Sequence, residues 1–139
     1  MIIHHHSLIV ELPDSCWTEA GMEGFVAKSG AYHVDRAALL EQEIREILIA
    51  DIGPVERAAG VGVFNESEEG VSAHDRVMSI LRGIFADAPI PPVAVSKPQE
   101  GQQFRYKLLH GSHRLYCSLA AGFVNVPAVE GFEWGNSVR

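Results

Sequence analysis

The sequence predicts an α+β domain, and three observations carry that reading. Short apolar runs of strand length stand at residues 8–10, 93–95 and 104–109. Two longer segments, around residues 33–51 and 72–85, repeat apolar residues at helical spacing. Residues 104–129 then read as one continuous unit of strand, tight loop, helix and strand, around which the rest of the chain is organised. At 139 residues and 47% hydrophobic content, the chain suits one globular domain, residues 1–139, with a core of its own.

Taken in order, Met1–Leu12 reads as a first strand, with Leu8, Ile9 and Val10 as its buried run and Pro13 ending it. The tract His4-His5-His6 lies in this strand, where His4 and His6 would share a face and His5 would point away. Spacing brings no acid to help them hold a metal, so the tract reads as a strand end and no metal site is assigned. Asp14–Gly30 is a loop with a short helix near Trp17–Phe25, carrying Asp14, Glu19 and Glu23. His33–Asp51 reads as a helix, because Leu40, Ile44, Ile47 and Leu48 recur at helical spacing while Glu41, Glu43, Arg45 and Glu46 take the wet side; Gly53-Pro54 stops it.

Residues 55–71, with Gly60, Gly62 and the acidic run from Glu66 to Glu69, are an exposed connector whose functional alternative is a lid. A second helix opens with a capping-box-like spacing from Ser72 to Asp75 and buries Val77, Ile80, Leu81, Ile84 and Phe85 before Ala88–Pro92 ends it. Val93–Val95 is a short buried strand, and a hairpin loop at residues 97–103 leads into a strand over Phe104–Leu109. The next helix takes Ser112 as its N-cap and ends at Gly122. Val124–Val129 is the last strand, and Phe132 and Trp134 would anchor the tail.

Charge is unevenly distributed. Net charge is −7, yet residues 96–129 hold only Glu100 against Lys97, Arg105, Lys107 and Arg114. An acidic whole argues against nucleic acid as a main partner, whereas a local basic patch suits a small phosphorylated ligand. The two cysteines, Cys16 and Cys117, form no C-x-x-C unit, which points to a reduced, cytoplasmic setting. No leader-like segment opens the chain and no apolar run approaches membrane-spanning length, so no membrane partner is expected.

The loop from His110 to Arg114 is where chemistry is expected. First-turn amides near His113, Arg114 and Leu115, the helix dipole behind them and the side chains of His110, His113, Arg114 and Lys107 would together cradle a phosphate or pyrophosphate. An arginine in the first turn of a helix opposes the dipole, so Arg114 asks for an anionic partner.

These residues carry a resemblance. The run Y-K-L-L-H-G-S-H-R-L with G-F-V-N-V-P-A-V, preceded by I-P-P-V-A-V, resembles the core signature of the ParB/sulfiredoxin superfamily, of which the ParB-like nuclease and ParB N-terminal-like domains are members. The likeness covers about the last fifty residues. It implies a small mixed sheet packed with helices and a nucleotide-phosphate site at Gly111, Ser112, His113 and Arg114, taking ATP or another nucleotide with Mg2+. Phosphoryl transfer would then need an acid. Glu19 resembles, in its spacing from Glu11-Leu12, the catalytic glutamate of a serine-kinase branch of this fold, with Asp14 as the second candidate. His113 and, less so, His110 could serve as general acid or base. Sulfiredoxins carry cysteine where this chain has Ser112. Cys117, more than a turn into the helix, reads as a packed small hydrophobe, so sulfinic-acid reduction is not expected. Partition proteins of this superfamily carry a helix-turn-helix region after this domain, and none is expected here.

The expectation is therefore a domain that binds a nucleotide or phosphorylated small molecule at Gly111–Arg114, with phosphotransfer or nucleotide hydrolysis as its activity. The alternatives are a non-catalytic nucleotide-responsive or protein-interaction module of plasmid-partition or toxin-operon type, and a DNA-associated ParB-like nuclease.

Overall fold

In the computed structural model, residues 1–37, 43–55 and 73–131 are described. They form an α+β architecture of three helices, a two-stranded hairpin and a four-stranded mixed sheet.

Residues 1–12 are not one strand but a hairpin of β1 (Ile2–His5) and β2 (Leu8–Glu11), paired antiparallel with Ile3 opposite Val10. The reversal falls at His6-Ser7, with His6 in the left-handed region at φ 57°. No Gly or Asn marks that turn, so nothing in the local sequence announces it. Alternation then sorts the hairpin. Ile3, His5 and Val10 turn inward, while Ile2, His4 and Ile9 face out.

Helix α1 (Asp14–Glu19) starts directly after Pro13 and ends earlier than the predicted Trp17–Phe25, because Gly21 at φ 81° and Gly24 at φ 79° turn the chain twice. The predicted helix over 33–51 is overturned: Arg45–Leu48 is a strand, β3, followed by a single 3-10 turn at Ile49–Asp51, and Val34 bridges to Ile90. Among its four residues only Ile47 is buried. Pairing with a neighbouring strand overrides the helical preference of this charged segment. Helix α2 (Ala73–Phe85) lies where expected, with Val77, Leu81 and Ile84 buried, but Phe85 is 54% exposed and leaves the predicted stripe. The lid segment, the Ser72 cap and the aromatic anchor at Phe132 and Trp134 lie outside the described residues.

β4 (Val93–Val95) agrees with its prediction. β5 (Leu108–His110) is shorter than predicted, since Tyr106 makes only an isolated bridge to Ile52 and Phe104 stands in a bend. Helix α3 (Ser112–Ala121) ends at Gly122, φ 93°, whose amide and that of Phe123 bond back to Leu119 and Ser118. β6 (Asn125–Glu130) completes the sheet in the order β3-β6-β4-β5, parallel between β4 and β6 and antiparallel elsewhere. β4 and β6 form the centre, and Val93, Val95, Val126 and Val129 are essentially inaccessible, so both faces of that centre are covered. At the edge, Arg45 of β3 is ion-paired with Glu130 of β6. No helix among the described residues is long and apolar enough to cross a membrane.

Candidate functional site

The turn between β5 and α3 is built around Gly111. Its backbone lies at φ 102°, ψ 33°, and a Cβ there would stand 2.8 Å from Cγ1 of Val93 in the neighbouring strand. Only glycine satisfies both the left-handed conformation and the close approach. Gly111 is also the N-cap of α3, and its carbonyl accepts the first helical hydrogen bond, from Leu115 N–H at 2.9 Å. Ser112 is thus the first helical residue and not the cap predicted for it: the chain enters the helix from a left-handed residue one position earlier. A glycine cap supplies no side-chain acceptor, and the first turn contains no acid. The positive end of the helix dipole is left without a carboxylate of that turn to offset it.

Arg114 has a defined partner within the fold. Its Nη1 donates to the carbonyl oxygen of Pro92 at 2.7 Å, and the Tyr32 hydroxyl donates to the carbonyl of Pro91 at 2.6 Å. The proline pair and the first turn of α3 are thereby held together. Burial pulls the Arg114 pKa below its ordinary value; the neighbouring Tyr32 opposes that shift and Arg76 adds to it. Burial likewise pushes the Tyr32 hydroxyl up, so it stays a neutral donor beside the guanidinium. His113 is buried, 8% exposed, whereas His110 is exposed and Ser112 half-buried. Lys107 is exposed at the far end of β5, where its amide donates to Ser96 Oγ at 2.9 Å. Its backbone is roughly 13 Å along the strand from Gly111 at the usual rise per residue.

Glu19 is placed elsewhere. At the end of α1 its Oε2 lies 3.6 Å from Nε2 of His74, and both side chains are about half exposed. They line a cleft of about 460 Å3 together with Asp75, Met78, Ser79 and Arg82, and no residue of the 110–114 turn is among the lining. The side chain of Asp14 is exposed beside the amino group of Met1. A larger cavity of about 650 Å3 has Phe25, Tyr32, His33, Ile84, Phe85 and Phe123 in its walls, with Phe25 and Phe123 meeting edge to face.

Two residues in these surroundings carry no local signal in the sequence. Cys16 and His74 stand 58 positions apart yet place Sγ 3.4 Å from Nδ1. Neither belongs to a motif, and only the packing of α1 on α2 joins them. The histidine tract is also structural in an unforeseen way. His5 is buried between Tyr116 Oη, 2.8 Å from Nδ1, and Ile49 O, 3.2 Å from Nε2, while His6 Nε2 donates to Ile52 O at 3.1 Å. Among the described residues, no group of three or more His, Cys, Asp or Glu is placed to hold a metal ion.

Among known proteins, no family model, no curated protein and no solved structure matches this chain.

Proposed function

We propose that this chain is a binding domain of ParB/sulfiredoxin type that takes a nucleotide, such as ATP, or another phosphorylated small molecule, with the phosphate at Gly111–Arg114. One observation carries the reading: α3 begins at a glycine cap in the left-handed region, with no acid in its first turn, and that turn is fastened to the Pro91-Pro92 pair through Arg114. A fixed helix end with a positive dipole and exposed His110 beside it favours an anion. Mg2+ would come with the nucleotide, held through its phosphate oxygens.

Binding without turnover is the form of the proposal that the geometry supports best. Phosphotransfer or nucleotide hydrolysis would need an acid at the phosphate, and Glu19 instead faces His74 across the α1–α2 cleft. That placement favours the nucleotide-responsive or protein-interaction module over the phosphotransferase, and the net charge of −7 weighs against a DNA-associated nuclease.

A thermal-shift panel of ATP, ADP, CTP, GTP and pyrophosphate, with and without magnesium, tests the reading. One of these ligands should raise the melting temperature with a concentration dependence that yields a dissociation constant, without release of phosphate. If none moves it at millimolar concentration, the phosphate site is wrong. Measurable turnover would restore the enzyme.

A further inference from the structure

A second cluster lies between α1 and α2. Cys16 sits on the buried face of α1, with its Sγ 3.4 Å from Nδ1 of His74, the second residue of α2. On the opposite side of the imidazole, Nε2 lies 3.6 Å from Glu19 Oε2. The carboxylate favours the tautomer with its proton on Nε2, which leaves the Nδ1 lone pair to accept from the Cys16 thiol. A nucleophile, an acceptor for its proton and a group that orients the acceptor therefore stand in line. His74 and Glu19 open onto the 460 Å3 cleft, where Ser79 and Arg82 contribute further polar groups.

We propose that Cys16 is a reactive thiol that reduces small hydroperoxides, with His74 carrying its proton and Glu19 acting as the positioning residue. Cys16 is only 2% exposed and does not itself line the cleft, which restricts its reagent to a molecule about the size of hydrogen peroxide. Attack on a peroxide also needs no separate donors for a carbonyl oxyanion, as acyl transfer would. Burial, and then the nearby Glu19 charge, push the Cys16 thiol up, so it rests protonated and ionises only as His74 accepts its proton.

The step balances. The thiol proton passes to His74 Nδ1, and Sγ attacks one oxygen of the peroxide; the S–O bond forms as the O–O bond breaks. The departing oxygen takes the proton back from Nδ1 and leaves as an alcohol, or as water from hydrogen peroxide. The sulfur loses two electrons and becomes a sulfenic acid, while the peroxide gains two. A small external thiol restores it: one equivalent forms a mixed disulfide and releases water, and a second releases the small disulfide and returns Cys16 to the thiol.

The test uses the full chain, hydrogen peroxide as the probe and dimedone to trap sulfenic acid, read by peptide mass spectrometry at both cysteines. Cys16 should be labelled while Cys117, inaccessible in α3 with its thiol pushed up by burial, stays unlabelled in the folded protein. His74→Gln should slow labelling at least tenfold, and imidazole added to His74→Ala should recover part of the rate, which a merely structural histidine would not allow. Glu19→Gln, on an exposed side chain whose loss the fold tolerates, should slow labelling several-fold, and Glu19→Asp should recover part of it. The proposal is overturned if Cys16 is not labelled, if Cys117 is labelled as fast, or if Glu19→Gln and whichever His74 variant folds both react at the wild-type rate.

Discussion

Arg114 and Pro92 are joined by a 2.7 Å hydrogen bond from Nη1 to the proline carbonyl oxygen. That bond ties the G-S-H-R turn to the I-P-P-V-A-V run, two segments that the sequence sets apart by more than a dozen residues. The arginine therefore has a structural partner within the fold, beside the phosphate proposed for it.

Two readouts for Arg114→Ala follow. Pro92 is fully buried, and removing the donor leaves its carbonyl without this partner, a loss of about 1–3 kcal/mol in denaturant unfolding. Nucleotide or pyrophosphate affinity should fall roughly tenfold or more, as for a lost charge-assisted contact. Arg114→Lys keeps the charge without the planar fork, so it should recover more of the affinity than of the stability. A variant that is destabilised yet binds as tightly as wild type would leave Arg114 a purely structural residue.

Gly111→Ala should be among the most damaging single substitutions. The left-handed backbone at φ 102° disfavours any Cβ by about 1–2 kcal/mol, and contact with Val93 Cγ1 at 2.8 Å adds an overpacking penalty of about 1–3 kcal/mol. Val93→Ala removes the obstructing methyl groups but cannot change φ. In a double-mutant cycle by urea unfolding, the two substitutions should show a favourable coupling that recovers part of the steric share, since the Cβ at position 93, 3.1 Å away, remains. Strict additivity would mean that the β4 side chain does not set the requirement for glycine.

The elements that were legible in the sequence are those whose pattern is local. β4 could be read from Val93-Ala94-Val95 between prolines and a loop, α2 from its apolar stripe, and α3 from the glycines at its two ends. The failures share one cause. β3 is an edge strand that buries Ile47 alone, so four residues offer no alternation to see, and the run Glu43–Glu46 favours a helix until β6 pairs with it. The β1–β2 hairpin turns on His6, which has no turn signature. At the site, the Gly111 turn was visible because a glycine before a basic helix start is a local feature. The directions of Arg114 toward Pro92 and of Glu19 toward His74 were not, since each depends on partners brought in by tertiary packing.

The last prediction concerns His5 and pH. The geometry defines a hydrogen-bond chain: Val55 N–H donates to Tyr116 Oη at 3.1 Å, the Tyr116 hydroxyl donates to His5 Nδ1 at 2.8 Å, and His5 Nε2–H donates to Ile49 O at 3.2 Å. This arrangement needs a neutral imidazole. Burial is the main force lowering the His5 pKa from 6.5; the carbonyls of Ile49 and Ile52 oppose that shift, and the neighbouring His6 adds to it. Because the unfolded chain takes up a proton on this histidine more readily than the fold does, the contribution is fully present above pH 6.5. It is lost as pH falls from there toward the folded-state pKa, with a slope of at most about 1.4 kcal/mol per pH unit for one proton. His5→Gln should therefore be less stable than wild type at pH 8, yet show a shallower decline between pH 7 and 5. Tyr116→Phe, which takes the acceptor from Val55 N–H, should lose about 1–3 kcal/mol. Urea unfolding at half-unit pH steps measures all three proteins. If wild type and His5→Gln decline in parallel through that range, His5 is not a group that folding holds neutral.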